Sequence, residues 1–335
     1  MPGFFESQIP INIFFQSLGS WLTPVMKFFS FLGREEFFLI IILVIYWGFD
    51  SKAGFRAALL LLLSNGFNLI LKIGFHAPRP FWFDSSVKAF ASDPTFGIPS
   101  GHTQNSTTVW GGLAFPSKRW LPILGASQVV VMVAISRIYL GVHFLSDVIT
   151  GLFFGLITVA IYIAAEKKVE SWLSLRTFSQ LILISIICSA SVLILFFLVK
   201  TSHPGWSLPP EWLSNAHTGY PFEEIDPFSS RGIIKTAGTL VGLLIGAAWM
   251  NQRHSSYSTS GTISQKLQRF ALGGAGLLVI YAGLGLVLPK EPIVLGSVLL
   301  YIRYALVGFW ASGFAPYLFQ KFHLISSENA LHNSA

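Results

Sequence analysis

Eight residues between Lys72 and Asp147 have the types and spacing of a site that handles a phosphate. They fall in three clusters: Lys72-x6-Arg79-Pro80, Pro99-Ser100-Gly101-His102, and Ser136-Arg137-x5-His143-x3-Asp147. Lys72, Arg79 and Arg137 are cationic donors, and the arginines can grip two phosphate oxygens at once and offset charge as it develops in a transition state. Pro78 and Pro80 bracket Arg79 and stiffen its loop. A histidine and an aspartate four positions apart at a helix start share a face, so Asp147 can accept a hydrogen bond from one ring nitrogen of His143. The other nitrogen is then left unprotonated, as a nucleophile or a general base requires. Ser100-Gly101-His102 leads into a helix whose first amides lack intrahelical partners and can cradle an anion, although Ser100 reads equally well as a plain N-cap. His102, when protonated, can give its proton to a leaving alkoxide.

The elements that must position these residues are membrane helices. Hydrophobic residues make up 53% of the 335, charged residues only 11%, and the mean hydropathy is +0.62, which excludes an ordinary soluble domain. Apolar runs approach the ~20 residues a spanning helix needs, and period-2 alternation is absent, so the expected fold is an all-α polytopic bundle and not a barrel. Residues 4–27 mix aromatics with Glu6, Gln8, Asn12 and Gln16 and suit a helix lying at the membrane surface. Spans are expected near 36–49, 57–75, 103–115, 121–140, 143–165, 181–199, 233–250, 270–287 and 293–318, roughly nine by the ~20-residue criterion. Residues 1–200 would form a six-helix core with its interfacial segment, and 201–335 an acidic outer loop with further membrane helices.

Alternating loops place Lys52, Arg56, Lys118, Arg119, Lys167, Lys168, Arg176, Arg253, Lys266, Arg269 and Lys321 on one side, against Asp50, Glu166, Glu170 and Glu328. That side is expected to be cytoplasmic, and the three clusters then face away from the cytoplasm, even though Lys27, Arg34, Lys88, Lys200, Arg231, Lys235 and Lys290 dilute the asymmetry. The formal charge of +7 is scattered over short loops with no dense basic run, so no nucleic-acid partner is expected. Cys188 is the single cysteine and forms no internal disulfide, and residues 1–20 lack the pattern of a cleaved signal. No HExxH or clustered carboxylate spacing points to a metal, and no Walker-type loop to a nucleotide, so neither metal nor cofactor is expected.

At these residues the sequence resembles the type 2 phosphatidic acid phosphatase superfamily, whose three signature motifs are matched position by position. The resemblance implies a metal-independent phosphohistidine mechanism: His143 attacks phosphorus, Asp147 orients it, and His102 protonates the leaving group. Lys72, Arg79, Ser100, Gly101 and Arg137 would hold the phosphoryl oxygens. It implies a lipid phosphate or polyprenyl diphosphate as substrate, with membrane lipids as surroundings and a sugar phosphate as the second possibility. The span count and the acidic loop at 223–228 are similar to the glucose-6-phosphatase layout. A haloperoxidase, or a non-catalytic lipid-binding or transport protein, stands behind these readings. Gly238 and Gly242 fit close helix packing. Arg303, the one intramembrane charge outside the motifs, is expected to pair with an acidic residue or to line a headgroup path. His76 reads as incidental, and Trp82 and Phe83 as interface anchors.

Overall fold

A computed structural model describes residues 2–254, 257–289, 291 and 293–325; Lys290 and Glu328 of the charge count lie outside them. Among the described residues the chain is all-α, without strands. In order the helices are α1 (Pro2–Glu6), α2 (Ile9–Ser17), α3 (Thr23–Phe31), α4 (Glu35–Gly48), α5 (Ser51–Phe75), α6 (Pro80–Phe83), α7 (Gly101–Ala114), α8 (Trp120–Tyr139), α9 (Leu145–Ser174) and α10 (Phe178–Thr201). They are followed by α11 (Pro210–Gly219), α12 (Arg231–Arg253), α13 (Ile263–Leu278), α14 (Leu284–Val287), α15 (Ile293–Phe309) and α16 (Ala315–Lys321). π-Turns at Val279–Gly283 and Trp310–Phe314 join α13 to α14 and α15 to α16.

Among the described residues, seven helical stretches are long and apolar enough to cross a membrane: Ser51–Phe83, Trp120–Tyr139, Leu145–Ser174, Phe178–Thr201, Arg231–Arg253, Ile263–Val287 and Ile293–Lys321. The other two expected spans correspond to α4 and α7, of 14 residues each. At ~1.5 Å per residue these reach about 21 Å, short of a ~30 Å hydrocarbon core. α7 is also polar where a span would be apolar. Its Thr103, Gln104, Asn105, Ser106, Thr107 and Thr108 are all buried. Buried polar groups need partners, and α5 provides them: Gln104 Nε2 donates to the Ser64 carbonyl at 3.0 Å, and Ser64 Oγ donates to Asn105 Oδ1 at 2.8 Å. α9 shows the opposite division, burying Val148, Gly151, Gly155 and Val159 while Ile149, Phe153 and Leu156 stay exposed. An apolar exposed face is what a lipid-facing helix presents.

The chain forms two compact units. The first comprises Met1–Phe38, Leu63–Lys167 and Ile194–Gly232, and holds all eight candidate residues. A core of Phe5, Ile9, Ala77, Val87 and Phe144 lies within it. α3 and α7 both pack along α8. The polar residues along α2 bond to the backbone of a distant segment. Asn12 is fully buried and donates to the carbonyls of Ile138 (3.0 Å) and His143 (3.1 Å). Gln16 reaches the carbonyls of Lys88 and Tyr139, and Gln8 accepts from the Ser146 amide. The stripe therefore satisfies the backbone of the 138–146 turn, whose carbonyls and amides could not stay unpaired in an apolar interior.

The second unit comprises Leu39–Leu62, Lys168–Leu193 and Ile233–Ala335, with a core of Tyr46, Trp47, Met250, Tyr257, Ala315 and Phe319. A Cβ on Gly238 would come 2.5 Å from the Tyr301 carbonyl, and one on Gly242 would collide with that of Ala305, so these glycines permit the close approach of α12 and α15. Arg269, read as a loop charge, is instead fully buried here and drops out of the topology count. The guanidinium of Arg303 lies over Tyr281 at 5.0 Å and Tyr304 at 5.4 Å. Among the described residues it is aromatic faces that stabilise it, and no carboxylate, one of the two expectations, is paired with it.

Candidate active site

The first unit brings Lys72, Arg79, Arg137, His143 and Asp147 together from the end of α5, the turn before α6, the end of α8 and the start of α9. Nothing in the local sequence could bury so many charges unless each found a partner. Arg79 is fully buried. Its Nε donates to the Thr95 carbonyl at 2.6 Å, one terminal nitrogen to the Val142 carbonyl at 2.8 Å, and the other to the Phe96 carbonyl at 3.1 Å. Lys72 Nζ donates to Thr95 Oγ1 at 3.0 Å and to the Phe96 carbonyl. Arg137 donates to Ser30 Oγ on α3 at 2.6 Å.

His143 is fully buried, with Nδ1 at 3.0 Å from Asp147 Oδ2 and Nε2 at 3.2 Å from the Arg79 guanidinium. Guanidinium can only donate, so Nε2 accepts and the proton sits on Nδ1, facing the carboxylate. Asp147 Oδ2 also accepts from the Phe144 amide at 2.9 Å, which fixes the carboxylate at the start of α9. Gly97 leaves room beside it: a Cβ there would lie 3.0 Å from Asp147 Oδ2 and collide with the Pro78 carbonyl. Burial, and then the nearby Arg79, Arg137 and Lys72, push the His143 imidazole well below its usual pKa. It is neutral at ordinary working pH.

Ser100 caps α7, its hydroxyl accepting from Thr103 Oγ1 at 3.1 Å, and its own amide donates to the Asp147 carbonyl at 2.8 Å. Gly101 and His102 occupy the first turn and line a cavity of about 250 Å³ together with Lys72, Asp93 and Thr95. The rest of the lining is mostly polar: Asn65, Asn68 and Asn105, with Glu35, Glu36 and Arg34 beside Gly33 and Leu69.

Several residues of this arrangement escaped the sequence reading. The principal one is Asp93, whose Oδ1 lies 2.8 Å from an Arg79 terminal nitrogen and whose Oδ2 lies 3.9 Å from one of Arg137. Burial alone would raise its pKa, but Arg79, Lys72 and Arg137 outweigh burial and hold the carboxyl well below the usual range. Ser30 and Thr95 are further partners, and the composition of 77–99, with Asp84 and Asp93 among prolines and aromatics, names no partner for either arginine. Trp82 is fully buried beneath Arg79 (5.8 Å), not at the interface. His76 packs its ring against Phe96, His203, Trp206 and Phe228.

Chemically, this is a neutral imidazole oriented by a carboxylate, three cations in one place, and a second histidine at the cavity wall. Comparison with known proteins agrees with that content. Residues 53–170 match the family described as the PAP2 superfamily, and residues 234–328 match "PAP2 superfamily phosphatase, transmembrane extension". Phosphatidylglycerophosphatase B of Bacillus subtilis (strain 168) is 31% identical over 163 residues, covering 45% of this chain and 78% of that protein. Glucose-6-phosphatase catalytic subunit 1 of Mus musculus is 26% identical over 324 residues, 85% of each chain. The crystal structure of a transmembrane PAP2 type phosphatidylglycerolphosphate phosphatase from Bacillus subtilis superposes with a TM-score of 0.43 at 24% identity, covering 49% of this chain and 86% of that one.

Proposed function

The chain belongs to the PAP2 superfamily, and from that premise we propose that it is an integral membrane phosphatase that cleaves a lipid phosphate or polyprenyl diphosphate through a phosphohistidine intermediate, without a metal. The observation that carries this reading is the relay Asp147–His143–Arg79, with contacts of 3.0 and 3.2 Å on the two ring nitrogens. Nε2 of His143 attacks phosphorus while the bond to the leaving oxygen breaks, and His102 gives that oxygen its proton. The charge that builds on the phosphoryl oxygens is met by Arg79, Arg137 and Lys72 and by the amides of Gly101 and His102, with Ser100 holding that turn in place. Water, deprotonated by His102, then attacks phosphorus, and the P–N bond breaks to release phosphate. Three convergent cations supply the electrostatic stabilisation that a metal supplies elsewhere.

These steps use residues below about position 200, and the segment 201–335 contributes none of them. The site is assigned to the non-cytoplasmic side, supported by the loop charges that remain once the buried Arg269 is set aside. A second reading, a sugar phosphate, is favoured by one observation: the cavity wall of Asn65, Asn68, Asn105, Glu35 and Glu36 has Leu69 as its one sizeable apolar side chain. Amides and carboxylates suit a hydroxyl-rich leaving group better than an acyl chain. The test is phosphate release in EDTA from phosphatidate, a polyprenyl diphosphate and glucose 6-phosphate, with His143→Ala as the blank. Turnover should be lost in that variant. Release that survives it, or that needs added metal, would falsify the mechanism, and preference for the sugar ester would move the assignment to the second reading.

A further inference from the structure

Asp93 has no part in the proposed reaction, yet it is the anion that the arginines hold. Its Oδ1 lies 2.8 Å from Arg79 and accepts from the Thr95 hydroxyl at 2.8 Å and the Thr95 amide at 3.1 Å; its Oδ2 faces Arg137 at 3.9 Å. Thr95 Oγ1 in turn takes a bond from Lys72 at 3.0 Å, so the carboxylate is tied to all three cations.

Its placement relative to the cavity is informative. Asp93 lines the cavity with Lys72, Thr95, Gly101 and His102, whereas Arg79 is fully buried behind it and Arg137 nearly so. A phosphate arriving from the cavity meets Asp93 before it meets either guanidinium. We infer that the Asp93 carboxylate competes with phosphate for Arg79 and Arg137, an internal anion that sets how tightly the site holds inorganic phosphate and that displaces the product at the end of each turnover. This inference rests on the phosphatase reading above.

Two considerations favour competition over a scaffolding ion pair. First, Arg79 does not need Asp93 to stay in place, because the carbonyls of Thr95, Phe96 and Val142 already fix its three nitrogens. Second, a phosphate dianion among three cations in a water-poor pocket leaves slowly unless another anion takes over the same donors. The exchange is balanced: the Asp93 contacts to the guanidinium groups break as the phosphate contacts form, and the reverse exchange frees the product. Asp93 is suited to it because its neighbours keep it ionised, and because it is held through its side chain on a loop that lacks helix between 84 and 100.

The experiment measures binding of inorganic phosphate to the full-length protein in detergent, by calorimetric titration, for the wild type, Asp93→Asn and Asp93→Ala. Competition predicts about tenfold or more tighter binding in both variants, with product inhibition tightened to match and kcat falling together with KM. A scaffolding role predicts the opposite sign: weaker phosphate binding and a raised KM. Equal or weaker binding by variants that unfold at the wild-type temperature overturns the inference. The wild type alone gives a second readout that does not depend on a variant folding. Phosphate that binds without shifting a carboxylate stretching band in the difference infrared spectrum overturns it as well. If substrate turnover is intact while the Asp93 variants bind phosphate no tighter, only this inference falls. If no form turns over substrate or binds phosphate, both readings fall.

Discussion

Arg79 in the first unit and Arg269 in the second are both fully buried arginines, and they are satisfied in different ways. Arg269 donates to the carbonyls of Leu324 (3.0 Å), Trp47 (2.8 Å), Thr259 (3.1 Å) and Ser260, and to the Tyr257 hydroxyl at 3.3 Å. Every one of those acceptors is neutral and fixed. Arg79 combines three carbonyls with the Asp93 carboxylate and the His143 ring. A guanidinium held only by neutral acceptors ties chain segments together and has nothing to exchange. One that also faces ionisable groups can trade a partner for a substrate oxygen while staying anchored, and that is the difference between a staple and a binding site.

The largest effect should come from Arg79→Lys, which keeps the charge and loses the fork: steady-state turnover of phosphate ester per folded molecule is expected to drop by roughly 10²–10³-fold. Arg269→Met should do the reverse. It strands several buried carbonyls, costing about 2–3 kcal/mol in denaturant titration, while kcat per folded molecule stays at the wild-type value. A matching loss of turnover in both variants would dissolve the contrast between the two arginines. The smallest effect is in the pH profile. Because the pKa of His143 is depressed, its imidazole takes up a proton only at lower pH than usual, so the acid limb of kcat/KM should be centred below the ordinary histidine value of about 6.5. An acid limb centred above 6.5 would mean that the cations do not act on this ring.

The three clusters were legible in the sequence because their spacings are local and because charge in an apolar chain stands out. Helix α9 and the others of its kind followed from run length. What escaped depends on distance along the chain. Asp93 sits in a loop without periodicity, so no pattern links it to Arg79, let alone to Arg137. Arg269 looks like any loop cation until the carbonyls around it are known. The stripe Gln8, Asn12, Gln16 marks a polar face, but periodicity cannot say whether that face meets water or another segment's backbone. α7 falls where a span is expected near 103–115, yet its buried side chains are mostly polar, and Gln104 and Asn105 pair with α5, a match that no local pattern reveals.

The docking of α2 also bears on the order of synthesis. Gln8 leaves the ribosome 138 residues before Ser146, the amide it accepts from, and Asn12 precedes its partner His143 by 131. At ~5–20 residues per second that separation lasts on the order of 7–30 seconds. During the wait the stripe has only water or lipid headgroups to bond, which its mixed composition tolerates. The turn carrying His143 receives its last backbone partners only when α8 and the start of α9 are in the membrane, so the relay is assembled late, after the segments that support it have been inserted.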